Sequence, residues 1–292
     1  TLNSQLRMQG NARYAMWGII SGALLNVVLD PILIFACNLG LRGAALATVI
    51  GQLVSVAVLL AMCHFRATAG VRLRPRYFSL HWHYVREIVY GGSPSLSRQG
   101  LASISVILLN VAAAGYGDAA VAAMSIVSRV TMFVMAVIVG LGQGFQPFCG
   151  YCYGAALYNR LRHGFWFTVR VGFIFLLFFS AVFFCFAEQT IAVFRDDSIV
   201  IAIGSTALRW HLAVYPLNAY IMAGNMMLQT TRRPIRANVL SSARKGLVFI
   251  PFILILPHLF GLMGIAMCQA VCDVVTFIIA IPIVRSAFRE MT

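Results

Sequence analysis

The stretch from Gln5 to Gln52, QLRMQGNARYAMWGIISGALLNVVLDPILIFACNLGLRGAALATVIGQ, decides the fold class. It contains two apolar segments, residues 14–35 and 44–62. Each is close to the roughly 20 residues that a helix needs to cross the hydrocarbon core of a bilayer. Asp30 lies inside the first segment and is followed by Pro31. A carboxylate at membrane depth costs about 2.5–3.5 kcal/mol on insertion scales, so we expect Asp30 to have a function.

The residues around Asp30 predict an oxygen-rich ion site. Asn26 lies one helical turn earlier on the same face and offers an amide oxygen. Pro31 lacks a backbone N–H, so it loosens the helix beside the carboxylate. Thr48, on the following helix, adds a hydroxyl. This set of oxygens suits a proton or a hard cation, and we expect Asp30 and Asn26 to be the ligands if Na⁺ is bound.

Composition assigns the whole chain of 292 residues to the same class. It is 61% hydrophobic and 10% charged, with a mean hydropathy of +0.87, which is too apolar for a soluble core. The formal net charge of +14 arises from 22 Lys and Arg residues that cluster between apolar stretches. That pattern is typical of cytoplasmic loops, so we expect the lipid bilayer as a partner and no nucleic acid. The sequence shows no nucleophile–base pair, phosphate-binding loop or metal-ligand set, so we predict that the chain is not an enzyme.

We therefore predict an all-α membrane protein with about eight transmembrane helices. Residues 1–65 hold two of these helices and form the end of an amino-terminal lobe, and residues 87–292 hold six and form a carboxy-terminal lobe. Residues 66–86 are predicted to be a basic cytoplasmic linker. The other basic segments fall on the same side, so we expect a multi-pass protein of the cell membrane with both ends of this chain in the cytoplasm.

An internal repeat supports the two-lobed design. Residues 39–52, LGLRGAALATVIGQ, align without gaps on residues 260–273, FGLMGIAMCQAVCD. The same alignment places Asp30 opposite Pro251. The scaffold is therefore repeated, while the acidic cluster belongs to the first copy alone.

Several longer motifs resemble one transporter family. LRMQGN, GALLNVVLDPILIF and LGLRGAALAT, within residues 6–48, are similar to the fifth and sixth helices of the multidrug and toxic compound extrusion (MATE) transporters. GGSPSLSRQG, LLNVAAAGYG, AAMSIVSRV and GLGQGFQPFCGYCYGA, within residues 91–155, resemble the seventh and eighth. The resemblance implies that the chain corresponds to helices 5–12 of a two-lobed, twelve-helix transporter and is truncated at the amino terminus, with about four of the family's helices missing.

The resemblance also implies a function. It implies a cation-coupled antiporter, monomeric and without a cofactor other than Na⁺ or H⁺ as the coupling ion, that exports small amphiphilic organic compounds or drugs. In the DinF-like branch the cation site combines an Asp of the first helix with Asn, Asp and Thr residues that Asn26, Asp30 and Thr48 match. Two alternatives remain open, namely a flippase or exporter of lipid-linked saccharides and a non-functional transporter remnant.

Other polar residues inside apolar segments are candidates for a substrate cavity: Gln143, Gln146, Arg98, Arg129 and Asp273. Both glutamines, with Pro147, are expected to shape or line the cavity. Each arginine either pairs within the bundle or binds an anionic substrate. Asp273 shares a helix face with Gln269, and is either a second titrating group or a structural contact.

Glycine pairs spaced four residues apart predict close packing between helices. Such pairs let two helix backbones approach each other without an intervening side chain. The chain contains three of them: Gly18 with Gly22, Gly140 with Gly144, and Gly150 with Gly154.

Overall fold

The computed structural model describes residues 2–65 and 81–291, and within these two stretches every regular element is a helix. The chain divides into two compact units, Thr1–Leu80 (the amino-terminal unit) and His81–Thr292 (the carboxy-terminal unit). Most of the predicted linker, residues 66–80, lies outside the described residues. Its last residues include the start of a helix at Trp82, and the apolar span of that helix begins at Ser95.

The amino-terminal unit is a helical hairpin with a short leading helix. It consists of α1 (Leu2–Met8), α2 (Ala12–Pro31), a π-helical turn at Ile32–Ala36 (the first π-turn) and α3 (Gly40–Phe65). Helices α2 and α3 approach closely at glycines, since a Cβ on Gly22 would lie 2.4 Å from the carbonyl oxygen of Gly51. Ser55 adds a hydrogen bond across the hairpin by donating its hydroxyl to the carbonyl of Gly18 at 2.6 Å.

The carboxy-terminal unit contains the remaining α-helices of the described chain. These are α4 (Trp82–Ala114), α5 (Asp118–Gly154), α6 (Tyr158–Cys185), α7 (Ala187–Phe194), α8 (Ser198–Val214), α9 (Asn218–Thr230), α10 (Pro234–Ser242), α11 (Phe249–Phe260) and α12 (Leu262–Arg289). A 3₁₀ turn at Tyr215–Leu217 joins α8 to α9, and a π-helical turn at Ala243–Leu247 (the second π-turn) joins α10 to α11. Each of these pairs forms one interrupted transmembrane segment.

Eight helical segments of the described chain are long and apolar enough to cross a membrane. Two lie in the amino-terminal unit and six in the carboxy-terminal unit. The prediction of an all-α membrane protein with about eight transmembrane helices is therefore confirmed. The core of the carboxy-terminal unit is apolar. Its largest buried cluster includes Val127 of α5, Leu208 of α8 and Phe249 of α11.

The internal repeat is visible in the backbone. Gly40 and Gly261, aligned in the sequence, both have a positive φ, +53° and +57°, a conformation that favours glycine. Three residues later, a Cβ on Gly43 would lie 2.6 Å from the carbonyl oxygen of Leu33, and one on Gly264 would lie 2.2 Å from that of Leu256. In both copies the chain thus turns at a glycine with a positive φ, and a second glycine three residues later packs closely against the preceding helical segment.

The predicted glycine pairs differ in their surroundings. Gly18 and Gly22 pack against α3 as expected, with Leu59 and Gly51 as neighbours. A Cβ on Gly150 would lie 3.3 Å from the Cγ2 atom of Thr230. In contrast, a Cβ on Gly140, Gly144 or Gly154 would meet no other atom of the described residues within 4 Å. For these three the structure does not support the packing interpretation.

This contrast gives a stability test. Gly264→Ala places a methyl group against the backbone of Leu256, so we expect it to destabilise the protein by about 1–3 kcal/mol through overpacking. Gly140→Ala is the matched control, because the site is open and alanine gains up to about 1 kcal/mol of helix propensity. Thermal unfolding of both variants in detergent micelles checks the prediction, and equal midpoints would contradict it.

Candidate functional site

The structure places the predicted ion ligands around the end of α2. Asp30 precedes the last residue of that helix, Asn26 lies one turn earlier, and both are partly buried. Asp30 Oδ1 and Asn26 Nδ2 are buried atoms that have no hydrogen-bond partner within residues 2–65 and 81–291. Thr48 is exposed, and its hydroxyl donates to the carbonyl of Ala44 at 3.0 Å. Asp30 and Asn26 thus lie on one helix face, and each has a buried polar atom that no other described residue hydrogen-bonds. The role of Thr48 stays a prediction.

Pro31 explains why the helix changes geometry directly after the acid. Proline cannot donate a backbone hydrogen bond, and the chain continues as the first π-turn. A π-turn has i→i+5 hydrogen bonds and is frequent at functional sites. The carboxylate of Asp30 therefore lies where the backbone hydrogen-bond pattern switches.

Asp273 has the opposite environment. Its side chain is only 1% exposed, and its carboxylate accepts hydrogen bonds from three residues. Arg244 donates from Nε at 2.8 Å to Oδ1, Asn218 donates from Nδ2 at 2.9 Å to Oδ2, and Gln269 donates from Nε2 at 3.1 Å to Oδ1. A second Arg244 contact, from Nη2 to Oδ2, is 3.5 Å long. This geometry places Asp273 at the centre of a buried polar network.

The second π-turn supplies the cations of this network. It presents the adjacent residues Arg244 and Lys245 to α12, where Asp273 and Gln269 lie one helical turn apart. Lys245 Nζ donates to Gln269 Oε1 at 2.8 Å. A π-turn has i→i+5 hydrogen bonds, so consecutive side chains are separated by a smaller angle around its axis than in an α-helix. Arg244 and Lys245 can therefore both contact α12.

Helix α4 stabilises the second π-turn. The hydroxyl of Ser105 shares its one proton between the backbone carbonyl of Lys245 and that of Leu101, the latter at 2.8 Å. Gly246 permits the approach, since a Cβ there would lie 2.9 Å from the Leu101 side chain. Ser105 thus satisfies a carbonyl at the interrupted part of the helix, as an apolar environment requires.

A cavity of about 500 Å³, the cation-lined cavity, opens beside this network. Its polar wall includes Asn110, Arg129, His211, Arg244, Lys245 and Gln269. Its apolar wall includes Met124, Met132 and Met135 of α5. The volume lies within the range of about 300–1,000 Å³ that is typical of small-molecule sites. The cavity therefore combines apolar surface with a few convergent polar groups.

The predicted cavity residues are distributed unevenly. Arg129 lines the cation-lined cavity, and Asp273 lies behind it and holds Arg244. Gln143, Gln146 and Arg98 line neither this cavity nor a second one of about 590 Å³ between α6, α9 and α12. The Nε atom of Arg98 is buried, and no acceptor in the described chain meets it. The cavity role of these three residues stays a prediction.

The prediction from sequence missed four residues of the site: Arg244, Lys245, Asn218 and His211. A signal existed for the first two, because the charged pair stands inside an apolar segment and intramembrane cations are costly unless partnered. His211 carried the same signal, because histidine is rare inside transmembrane segments, whereas the uncharged Asn218 gave a weaker one.

The Asp273 network predicts a strong asymmetry between variants. Asp273→Asn leaves the Arg244 guanidinium buried without a counter-charge, so we expect a loss of about 3–5 kcal/mol in stability. The double variant Asp273→Asn/Arg244→Gln removes both charges and should lose less than Asp273→Asn alone. Thermal unfolding in detergent measures both, and an Asp273→Asn midpoint equal to that of the unaltered protein would refute this role.

Comparisons with known proteins agree with this architecture. The family model MatE matches residues 94–255. The multidrug export protein MepA of Staphylococcus saprophyticus is 27% identical over 271 residues, which is 92% of this chain and 59% of that protein. MepA of Staphylococcus aureus is 28% identical over 260 residues, 89% of this chain and 57% of the relative. This chain thus spans less than two thirds of the length of either relative.

Solved structures show the same fold. An outward-facing multidrug resistance MATE family transporter of the MOP superfamily has a TM-score of 0.90 at 25% identity, covering 98% of this chain and 64% of that one. A MATE in complex with MaL6 also has a TM-score of 0.90 at 25% identity, covering 99% of this chain and 67% of that one. The family is one of transporters and not of enzymes, as predicted. With its family match, its helical segments and its fold, this multi-pass membrane chain belongs to the MATE family.

Proposed function

We propose that this protein is a cation-coupled antiporter that exports small amphiphilic organic compounds across the cell membrane, driven by Na⁺ or H⁺. The relatives named multidrug export proteins support the export of organic compounds. Their names favour drug export over the flipping of lipid-linked saccharides. We further propose that the protein is a monomer and that both ends of this chain lie in the cytoplasm.

One observation carries the proposed ion coupling. Asp30 Oδ1 and Asn26 Nδ2 are buried on one face of a transmembrane helix, and no group of the described residues hydrogen-bonds either atom. Buried polar atoms are nearly always hydrogen-bonded, so the unsatisfied carboxylate oxygen of Asp30 needs an explanation. A proton on the carboxylate, or a cation shared by the carboxylate and the amide oxygen, would remove the cost of the unpaired acid.

The first π-turn supports a route from ion binding to conformational change. Neutralising Asp30 changes the electrostatic environment of the turn that begins after Pro31. A π-turn and an α-helical turn differ by one residue in hydrogen-bond register, so a switch between them would rotate the following residues. For coupling to exist, the ion must bind one of these arrangements better than the other.

Asp273 is not the coupling acid in this proposal. Its carboxylate already accepts hydrogen bonds from Arg244, Asn218 and Gln269, and the guanidinium neutralises its charge. A second ion at this position would have to compete with Arg244. The two intramembrane acids therefore have different roles: Asp30 binds the ion, and Asp273 maintains the fold of the carboxy-terminal unit.

Transport in vesicles tests the proposal. The full-length gene product carrying Asp30→Asn should lose gradient-driven efflux of a fluorescent drug, because the amide can neither titrate nor balance a cation. Asp196→Asn is the matched control, since this aspartate is exposed in the turn between α7 and α8 and should leave efflux unchanged. Na⁺ and pH gradients imposed separately identify the ion, and efflux that persists in Asp30→Asn would refute the assignment.

A further inference from the structure

We infer that the cation-lined cavity binds the acidic group of an organic amphiphile, so that the substrate is an anion carrying a carboxylate, sulfonate or phosphate group. As a statement about what is exported, this inference rests on the proposed function. As a statement about binding, it rests on the composition of the cavity alone.

The charge balance of the cavity is positive. Arg129, Arg244 and Lys245 contribute three cationic side chains to its lining, and the described residues contribute no carboxylate to it. Asp273 lies behind the wall and pairs with Arg244. Three cations and one carboxylate leave a net charge of +2 at the site (3 − 1 = 2). In a membrane-spanning unit such an excess needs an anionic partner or water.

Lys245 is held in place by neutral groups. Its Nζ donates to the Gln269 side chain at 2.8 Å and lies 5.9 Å from the centre of the Phe249 ring. An ammonium group has three donors, and neither of these contacts supplies an opposite charge. The amine is therefore fixed in position beside the cavity without being neutralised, as expected of a group that binds an anion.

Arg129 provides the second unneutralised cation. It projects from α5, is exposed, and forms no ion pair with any carboxylate in the described parts of the chain. A guanidinium binds a carboxylate or phosphate through paired hydrogen bonds, which a single ammonium cannot do. Asn110, Ser125 and Ser128 line the same cavity and offer neutral hydrogen-bond donors.

The rest of the cavity suits the apolar part of an amphiphile. Met124, Met132 and Met135 line one side, and methionine adapts its shape to different ligands. An organic cation of the same size would find this apolar surface but would be repelled by Arg129 and Lys245. The cavity therefore selects by charge and tolerates variation in shape.

A pair of dyes with one skeleton tests this preference. Fluorescein is an anionic xanthene and rhodamine 6G a cationic one, so binding of each to the purified full-length protein in detergent, measured by fluorescence anisotropy without any gradient, isolates the effect of charge. Fluorescein should bind more tightly than rhodamine 6G. Arg129→Gln and Lys245→Gln should each weaken fluorescein binding by about tenfold or more, the value expected for losing one charge-assisted hydrogen bond.

Arg170→Gln is the matched control. This arginine lies on α6, lines neither of the two cavities, and should leave fluorescein binding unchanged. Arg129 is exposed, so its variant should fold even if the Lys245 variant does not, and size-exclusion chromatography checks both.

Each outcome is decisive. Tighter binding of rhodamine 6G, or fluorescein affinities that are equal in the Arg129→Gln and Arg170→Gln variants, would overturn the inference. Fluorescein binding that depends on Arg129 and Lys245 supports it even if no gradient drives efflux of the dye, and in that case the proposed function fails while the binding site stands.

Discussion

The buried pair of Asp273 and Arg244 is the interaction on which the carboxy-terminal unit depends. Through hydrogen bonds to this carboxylate, the second π-turn, the start of α9 and the middle of α12 meet at one point. Removing either charge alone would leave the other without a counter-charge in a largely apolar environment. The pair also leaves Lys245 next to Gln269, so it fixes the wall of the cation-lined cavity. In this unit, stability and the proposed anion selectivity therefore have the same physical origin.

The repeated scaffold carries two acids with different surroundings. The repeats share a left-handed glycine and a close glycine contact, yet Asp273 aligns with Gln52 and Asp30 aligns with Pro251. Asp273 is surrounded by donors, whereas one oxygen of Asp30 is buried without any from the described residues. On this difference we base the proposal that Asp273 has a structural role and that Asp30 binds the coupling ion.

Much of the fold follows from local properties of the sequence. Hydrophobic length predicts the transmembrane segments, the glycine pattern predicts the repeat, and an acid at membrane depth singles out Asp30. The second π-turn is different, because it depends on the hydrogen bond from Ser105 and on contact with Leu101, both distant in sequence. Arg129 and Lys245 likewise line one cavity only because α4 packs against both α5 and the second π-turn. The open surroundings of Gly140 and Gly144 show that spacing alone does not specify a helix contact.

The division of roles between the two acids is the central claim, and ion binding at equilibrium tests it most directly. Na⁺ binding by isothermal titration calorimetry, and proton release followed with a pH-sensitive dye, count the ions that the full-length protein binds without a substrate or gradient. The account predicts that Asp30→Asn loses ion binding and that the charge-neutral double variant Asp273→Asn/Arg244→Gln retains it. Ion binding that survives in Asp30→Asn and disappears in the double variant would contradict the account.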